Sequence, residues 1–178
     1  MGGFRGESPG RDAMRTSMRL VIVAVVALAI WTGTQARDDK AKDHDADKEH
    51  VVARPDDIKW GPAPPALPPG AKAAVLLGDP GKAAPYVIRA KMPDGYKVPP
   101  HWHPTDENVT VIQGTLMVGK GEKFNADATE ALPTGSFMRM PKGMRHFAQA
   151  KGETIIQVHG IGPFDVNYVN ASDDPRKK

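Results

Sequence analysis

Two short stretches of this chain carry glycines, prolines, three histidines and a glutamate at intervals that leave few folds open. The first is Gly95-x5-His101-x-His103-x3-Glu107-x6-Gly114, and the second is Gly135-x5-Pro141-x-Gly143-x2-His146. Three imidazoles and one carboxylate form the ligand set of a borderline divalent transition metal. The spacing of the first pair selects the backbone. His101 and His103 stand at i and i+2, so on a strand both rings project from one face. A helix would need i and i+4, and Pro99, Pro100 and Pro104 oppose one here.

The neighbouring residues extend this reading. Val109-Thr110-Val111-Ile112 favours a strand beginning at Glu107, which can lie beside the His101/His103 strand. Gly114 then reads as the tight turn of a hairpin leading into Thr115–Val118. Pro141-Lys142-Gly143 reads as a turn, and His146 opens the strand His146–Ala150. All four candidate ligands would converge inside a small barrel.

Strand signals recur along the chain. Ala73–Leu77 and Tyr86–Ala90 precede the histidines, while Ser136–Met140, Glu153–Gly160 and Phe164–Val169 follow the Glu107 region. Residues 125–132 are ambiguous, with room for a short strand. Short strands separated by Gly/Pro turns indicate an all-β sandwich or barrel. There is no useful amphipathic helix and no internal repeat, so one motif pair means one barrel.

The first 36 residues read differently. Arg5, Arg11, Arg15 and Arg19 make a basic region, and Leu20–Ile30 is an unbroken apolar run that Trp31 extends. A bilayer span needs about 20 such residues, so this run is too short. Thr34-Gln35-Ala36 has the small residues of a cleavage site, and the expectation is a signal peptide cut after Ala36. Met14 or Met18 could serve as the start instead of Met1. The expected destination is the periplasm or the exterior, with no stable membrane anchor after cleavage. With the four Arg and two acidic residues of 1–36 gone, 20 basic and 19 acidic side chains remain. No basic stripe argues for nucleic acid. The absence of cysteine excludes a lipoprotein anchor, thiol nucleophiles, zinc ribbons and iron–sulfur clusters.

Residues 37–72 are expected to form a disordered segment, densely charged at first and then rich in proline. His44 and His50 lie among its carboxylates as solvated residues. Trp60 is expected to pack on the barrel or on a second subunit. The barrel is assigned to 73–170 and a C-terminal tail to 171–178.

The two patterns resemble the paired motifs of the cupin superfamily. Every fixed position of the first motif is present. The second matches except that Ala150 stands where the family often has Asn. The resemblance spans roughly 73–170 and looks most like the small single-domain cupins exported by bacteria. It implies a single jelly-roll β-barrel of six to eight strands, with one divalent metal (Fe, Mn, Ni, Cu or Zn) held by His101, His103, Glu107 and His146. It also implies chemistry on a small organic molecule, as in dioxygenase and isomerase cupins. Glu107 is then the candidate catalytic base as well as a ligand. The expected activity is a metal-dependent, dioxygenase-like oxidoreductase; the alternative is a cupin that binds or senses a metal or small ligand without turnover. Gln113, Arg139 and His159 are candidates for contact with substrate or with the ligands. A homodimer is expected, because edge strands and the Trp60 segment call for cover.

Overall fold

The structure is a computed structural model and describes residues 50–178. The segment expected to be a signal peptide, the charged stretch up to residue 49 and His44 lie outside the described residues. Among the described residues the chain forms nine β-strands and several single turns of 3-10 helix. The strands are β1 (Gly61–Pro62), β2 (Lys72–Leu77), β3 (Pro85–Met92), β4 (Lys97–Trp102), β5 (Glu107–Lys120), β6 (Glu130–Pro133), β7 (Phe137–Met140), β8 (His146–Ile161) and β9 (Asn167–Tyr168).

The framework is the long antiparallel pair β5 and β8, in register from Asn108↔His159 to Lys120↔His146. Each strand serves two neighbourhoods. The later half of β8 pairs with β3, from Pro85↔Ile161 to Met92↔Thr154, and its earlier half pairs with β4. The earlier half of β5 pairs with β7 and the later half with β6. The result is two sheet regions, β1-β2-β3-β8-β5-β7 and β9-β4-β8-β5-β6, that share two bent strands. This curled, all-antiparallel arrangement is the expected all-β jelly-roll barrel.

The bend corrects the hairpin reading of Gly114. Gly114 lies inside β5 with φ 76°, and the register of β5 on β8 shifts on either side of Gln113. A Cβ at Gly114 would run into the carbonyl oxygen of Glu153. The glycine is therefore a bulge that bends a continuous strand, rather than a turn that ends one. His146–Ala150 and Glu153–Gly160, expected as two strands, are likewise one strand. The strand expected at Phe164–Val169 shrinks to Asn167–Tyr168.

The core fills with the alternate residues of these strands. Tyr86, Met92, Val98, Val109, Val111, Leu116 and Val158 are buried together. Burying each such aliphatic side chain stabilises the fold by about 1.5–3 kcal/mol against full exposure. Part of the segment expected to be disordered joins them. Ala71 is buried and Ala63 and Leu67 pack against the core, where a turn closed by the Leu67 N–H on the Pro64 carbonyl oxygen at 2.9 Å folds the segment back onto the barrel. Trp60 is half-buried, with the Lys91 ammonium 5.4 Å from its ring centre.

Candidate metal centre

Pro99 and Pro100 hold β4 extended, and its pairing with β8 is irregular between Val98 and His101. After that irregularity His101 faces His146 directly across the two strands. His103 follows one residue beyond β4, and Glu107 is the first residue of β5. All four are buried, between 2% and 7% exposed, where an unpaired polar group is costly. Glu107 does not reach this place by pairing with the histidine strand, as the sequence suggested. β4 pairs with β8 and β9, whereas Glu107 pairs with Met140 of β7. The carboxylate meets the imidazoles across the barrel interior.

The imidazoles share one hydrogen-bond plan. Each Nδ1 lies beside a backbone carbonyl oxygen: Pro99 for His101 at 2.7 Å, Asp165 for His103 at 2.7 Å and Met144 for His146 at 3.0 Å. A carbonyl can only accept, so each Nδ1 carries the proton and donates it. That leaves every Nε2 with a free lone pair. One ligand atom from each of His101, His103 and His146 falls within 4.8 Å of the other two. His103 Nε2 is buried without a hydrogen-bond partner. Such a convergence of lone pairs fits a divalent transition metal, and the carbonyls supply the outer anchoring that metal-binding histidines need. These three histidines could hold a metal ion.

Glu107 stands beside two of the three. Its Oε2 lies 3.3 Å from His103 Nε2 and 3.4 Å from His146 Nε2. Burial works to raise the Glu107 pKa but is outweighed by the neighbouring His103 and His146 rings, whose attraction for the ionised carboxylate holds it well below the usual carboxylate range. For His103, burial is a lowering influence that Glu107 more than offsets, so the net shift is upward. His101 is pushed down to about 3, first by burial and then by the charges of His146 and His103.

Phe164 stacks on His103 with ring centres 4.7 Å apart and 17° between planes. Arg176 clamps the loop that carries this ring, donating to Asp165 Oδ1 at 3.0 Å and to the Val166 carbonyl oxygen at 2.8 Å. The cavity at the ligands measures about 70 Å³ and is walled by groups such as Met92, Val98, Val109, Leu116 and Met138. It shares Leu67, Ile88, Phe164 and Val166 with a larger pocket of about 340 Å³, lined mainly by apolar groups together with Arg89 and Asp165.

The other residues singled out in the sequence do not join the site. Gln113 is exposed and donates to Glu153 Oε1 at 3.2 Å. The parity argument that aligned it with Glu107 fails because the register of β5 on β8 shifts between Val111 and Gln113. Arg139 is exposed and donates through Nε to Asp106 Oδ2 at 3.1 Å. His159 lies on the outer face, its ring 6.4 Å from that of Phe137, while its neighbour Val158 faces the cavity. His50 is exposed. Sequence reasoning missed Tyr86, whose hydroxyl is buried without a partner. Its strand parity with Ile88, which lines the cavity, was the available signal.

The family model described as "Domain of unknown function (DUF4437)" matches residues 51–177. Germin-like protein 5-1 of Oryza sativa subsp. japonica is 40% identical over 57 residues, covering 32% of this chain and 26% of that protein. The chain thus matches about a quarter of the length of this curated relative. Among solved structures, the polyketide cyclase RemF from Streptomyces resistomycificus superposes with a TM-score of 0.54 at 18% identity, over 72% of this chain and 91% of that one. A protein named "putative acetylacetone dioxygenase" from Methylibium petroleiphilum PM1 gives 0.55 at 16% identity, over 71% and 85%. At these identities the likeness is one of fold.

Proposed function

The chain belongs to the DUF4437 family, within the cupin superfamily, and from that premise we propose that it is a metal-dependent oxidoreductase of dioxygenase type acting on a small organic molecule. The observation that carries this reading is the convergence of three Nε2 lone pairs whose Nδ1 partners are all fixed by backbone carbonyls. Glu107 is the proposed fourth ligand. A divalent Fe, Mn, Ni, Cu or Zn ion at such a set supplies Lewis acidity and, where the ion is redox-active, a path for electrons between substrate and O₂.

The chain's own residues supply the rest. The carbonyls of Pro99, Asp165 and Met144 hold the ring orientations. Glu107 Oε2 is the proposed acceptor of a substrate proton. Its pKa is held down by His103 and His146 against the opposing effect of burial, so the carboxylate is ionised and able to accept one.

The walls restrict the substrate. Beyond Glu107 and the histidines no charged side chain lines the cavity, and the Tyr96 hydroxyl there is engaged with the Pro68 carbonyl oxygen. A cavity of about 150 Å³ accommodates benzene, so the 70 Å³ at the ligands holds little more than the reacting atoms. The body of the substrate is assigned to the adjoining, mainly apolar pocket, which Arg89 and Asp165 also line. The favoured class is an enolisable or diol compound with apolar substituents.

Export through the N-terminal segment and a homodimer complete the reading. The dimer is supported by Val75 and Leu77, which are 58% and 40% exposed on β2, where β1 pairs only with Lys72 and Ala73. The test of function is O₂ consumption by protein loaded with Fe, Mn, Ni or Cu in turn, across a panel of enolisable and diol compounds. Uptake with at least one compound, abolished by Glu107→Gln, is the expected result. Ligand binding to the loaded protein without any uptake would favour the non-catalytic alternative.

A further inference from the structure

Tyr86 is 1% exposed, and its hydroxyl is buried with no hydrogen-bond partner. Native proteins rarely bury a hydroxyl in this way without a reason. The sheet register shows what it faces. Tyr86 pairs with Gly160 across β3 and β8, and Asn108 pairs with His159 across β8 and β5. One step along that ladder, Glu107 stands level with Gly160. Tyr86, Gly160 and Glu107 therefore occupy one row across three strands. Ile88, Val158 and Val109, two residues along the same strands, all line the metal-site cavity. By strand alternation the row faces the same interior.

The middle member of the row has no side chain. A Cβ built on Gly160 would lie 3.4 Å from the Tyr86 hydroxyl oxygen and 3.6 Å from its Cε1. The phenol thus lies over Gly160, in the space between its own strand and the strand of Glu107. Glu107 has the imidazoles of His103 and His146 beside Oε2, and no hydroxyl or backbone N–H donates to its carboxylate among the described residues. A donor without an acceptor and a carboxylate without a neutral donor share one row.

We propose that Tyr86 is a positioning residue whose hydroxyl donates to the Glu107 carboxylate when the site holds a divalent ion, fixing which oxygen Glu107 presents to it. Gly160 is the residue that lets the phenol reach across. The proposal rests on reading His101, His103, Glu107 and His146 as a metal centre.

The experiment compares wild type with Tyr86→Phe by Co²⁺ titration of the full chain, following the visible absorption of the bound ion, together with thermal midpoints in chelator. A hydroxyl without a partner in the metal-free protein stabilises nothing there, so the variant should melt in chelator at or above the wild-type midpoint. Its Co²⁺ affinity should fall about 10-fold, as is usual when a group holding a metal ligand is removed, and its absorption bands should shift. Unchanged affinity and spectrum overturn the proposal. So does a lowered midpoint in chelator with affinity kept within about twofold, since that is a purely structural residue. A wild type that binds no Co²⁺ instead overturns the metal reading itself, and this proposal with it.

Discussion

The backbone N–H of Gly143 donates to the carbonyl oxygen of His103 at 2.9 Å. This bond ties the turn before His146 to the histidine of the other motif. The same turn closes through Met144 N–H to the Pro141 carbonyl oxygen at 3.0 Å, and Met144 in turn offers its own carbonyl to His146 Nδ1. Two candidate ligands 43 residues apart in number thus share one short stretch of backbone.

Gly143→Ala tests that link. Gly143 has φ 75°, and nothing lies within 4 Å of a Cβ added there. The cost is therefore backbone strain alone, about 1–2 kcal/mol. Urea unfolding should show a loss of that size, and metal titration should show weaker binding. Gly114→Ala should be worse, because strain there is joined by a clash with the Glu153 carbonyl.

Substitution of residues on the outer face should leave the number of bound ions unchanged. Gln113→Ala, Arg139→Ala and His159→Ala are expected to retain the wild-type metal stoichiometry by elemental analysis. Arg139 is the most informative of the three, because Asp106 holds both its guanidinium and the Lys142 N–H, the latter at 2.8 Å. Its removal should loosen the 141–143 turn slightly and weaken metal binding, but not change the number of ions bound. Loss of the ion in any of these variants would mean that an outer residue reaches the site.

Acid should destabilise the metal-free protein through His101. Its folded pKa is lowered to about 3 by burial and by the other histidines, against 6.5 for the free side chain. Between those values the unfolded chain binds the extra proton, so stability is present above pH 6.5 and is lost as pH falls towards 3. One such group gives a slope of up to about 1.4 kcal/mol per pH unit. The upward shift of His103 acts only above 6.5, where it favours the folded state as pH falls. Urea midpoints in chelator at pH 7, 6, 5 and 4 should decline below 6.5, and less steeply in His101→Gln. A flat profile would contradict the buried, neutral His101.

Most of the fold and the three histidines that could hold a metal were legible in the sequence because both are written in local signals. Alternation placed His101 on a strand, and turn chemistry placed His146 at the start of one. What stayed hidden was non-local. Gly114 looks the same whether it closes a hairpin or bends a strand, and only the opposing Glu153 carbonyl distinguishes them. A separate register shift, between Val111 and Gln113, moved Gln113 to the outer face. The neighbours of Glu107 depend on strand order, which no short motif encodes. Tyr86 escaped notice because an aromatic residue on a strand ordinarily means packing, and its unpartnered hydroxyl appears only once Gly160 is seen beneath it.

The most direct measurement is the metal content of the purified protein beside that of His146→Ala. The expected result is about one transition-metal ion per chain in the wild type, lost or strongly depleted in the variant, with both proteins folded by circular dichroism. No metal in either protein, even after reconstitution with Fe, Mn, Ni, Cu and Zn, would contradict the metal centre.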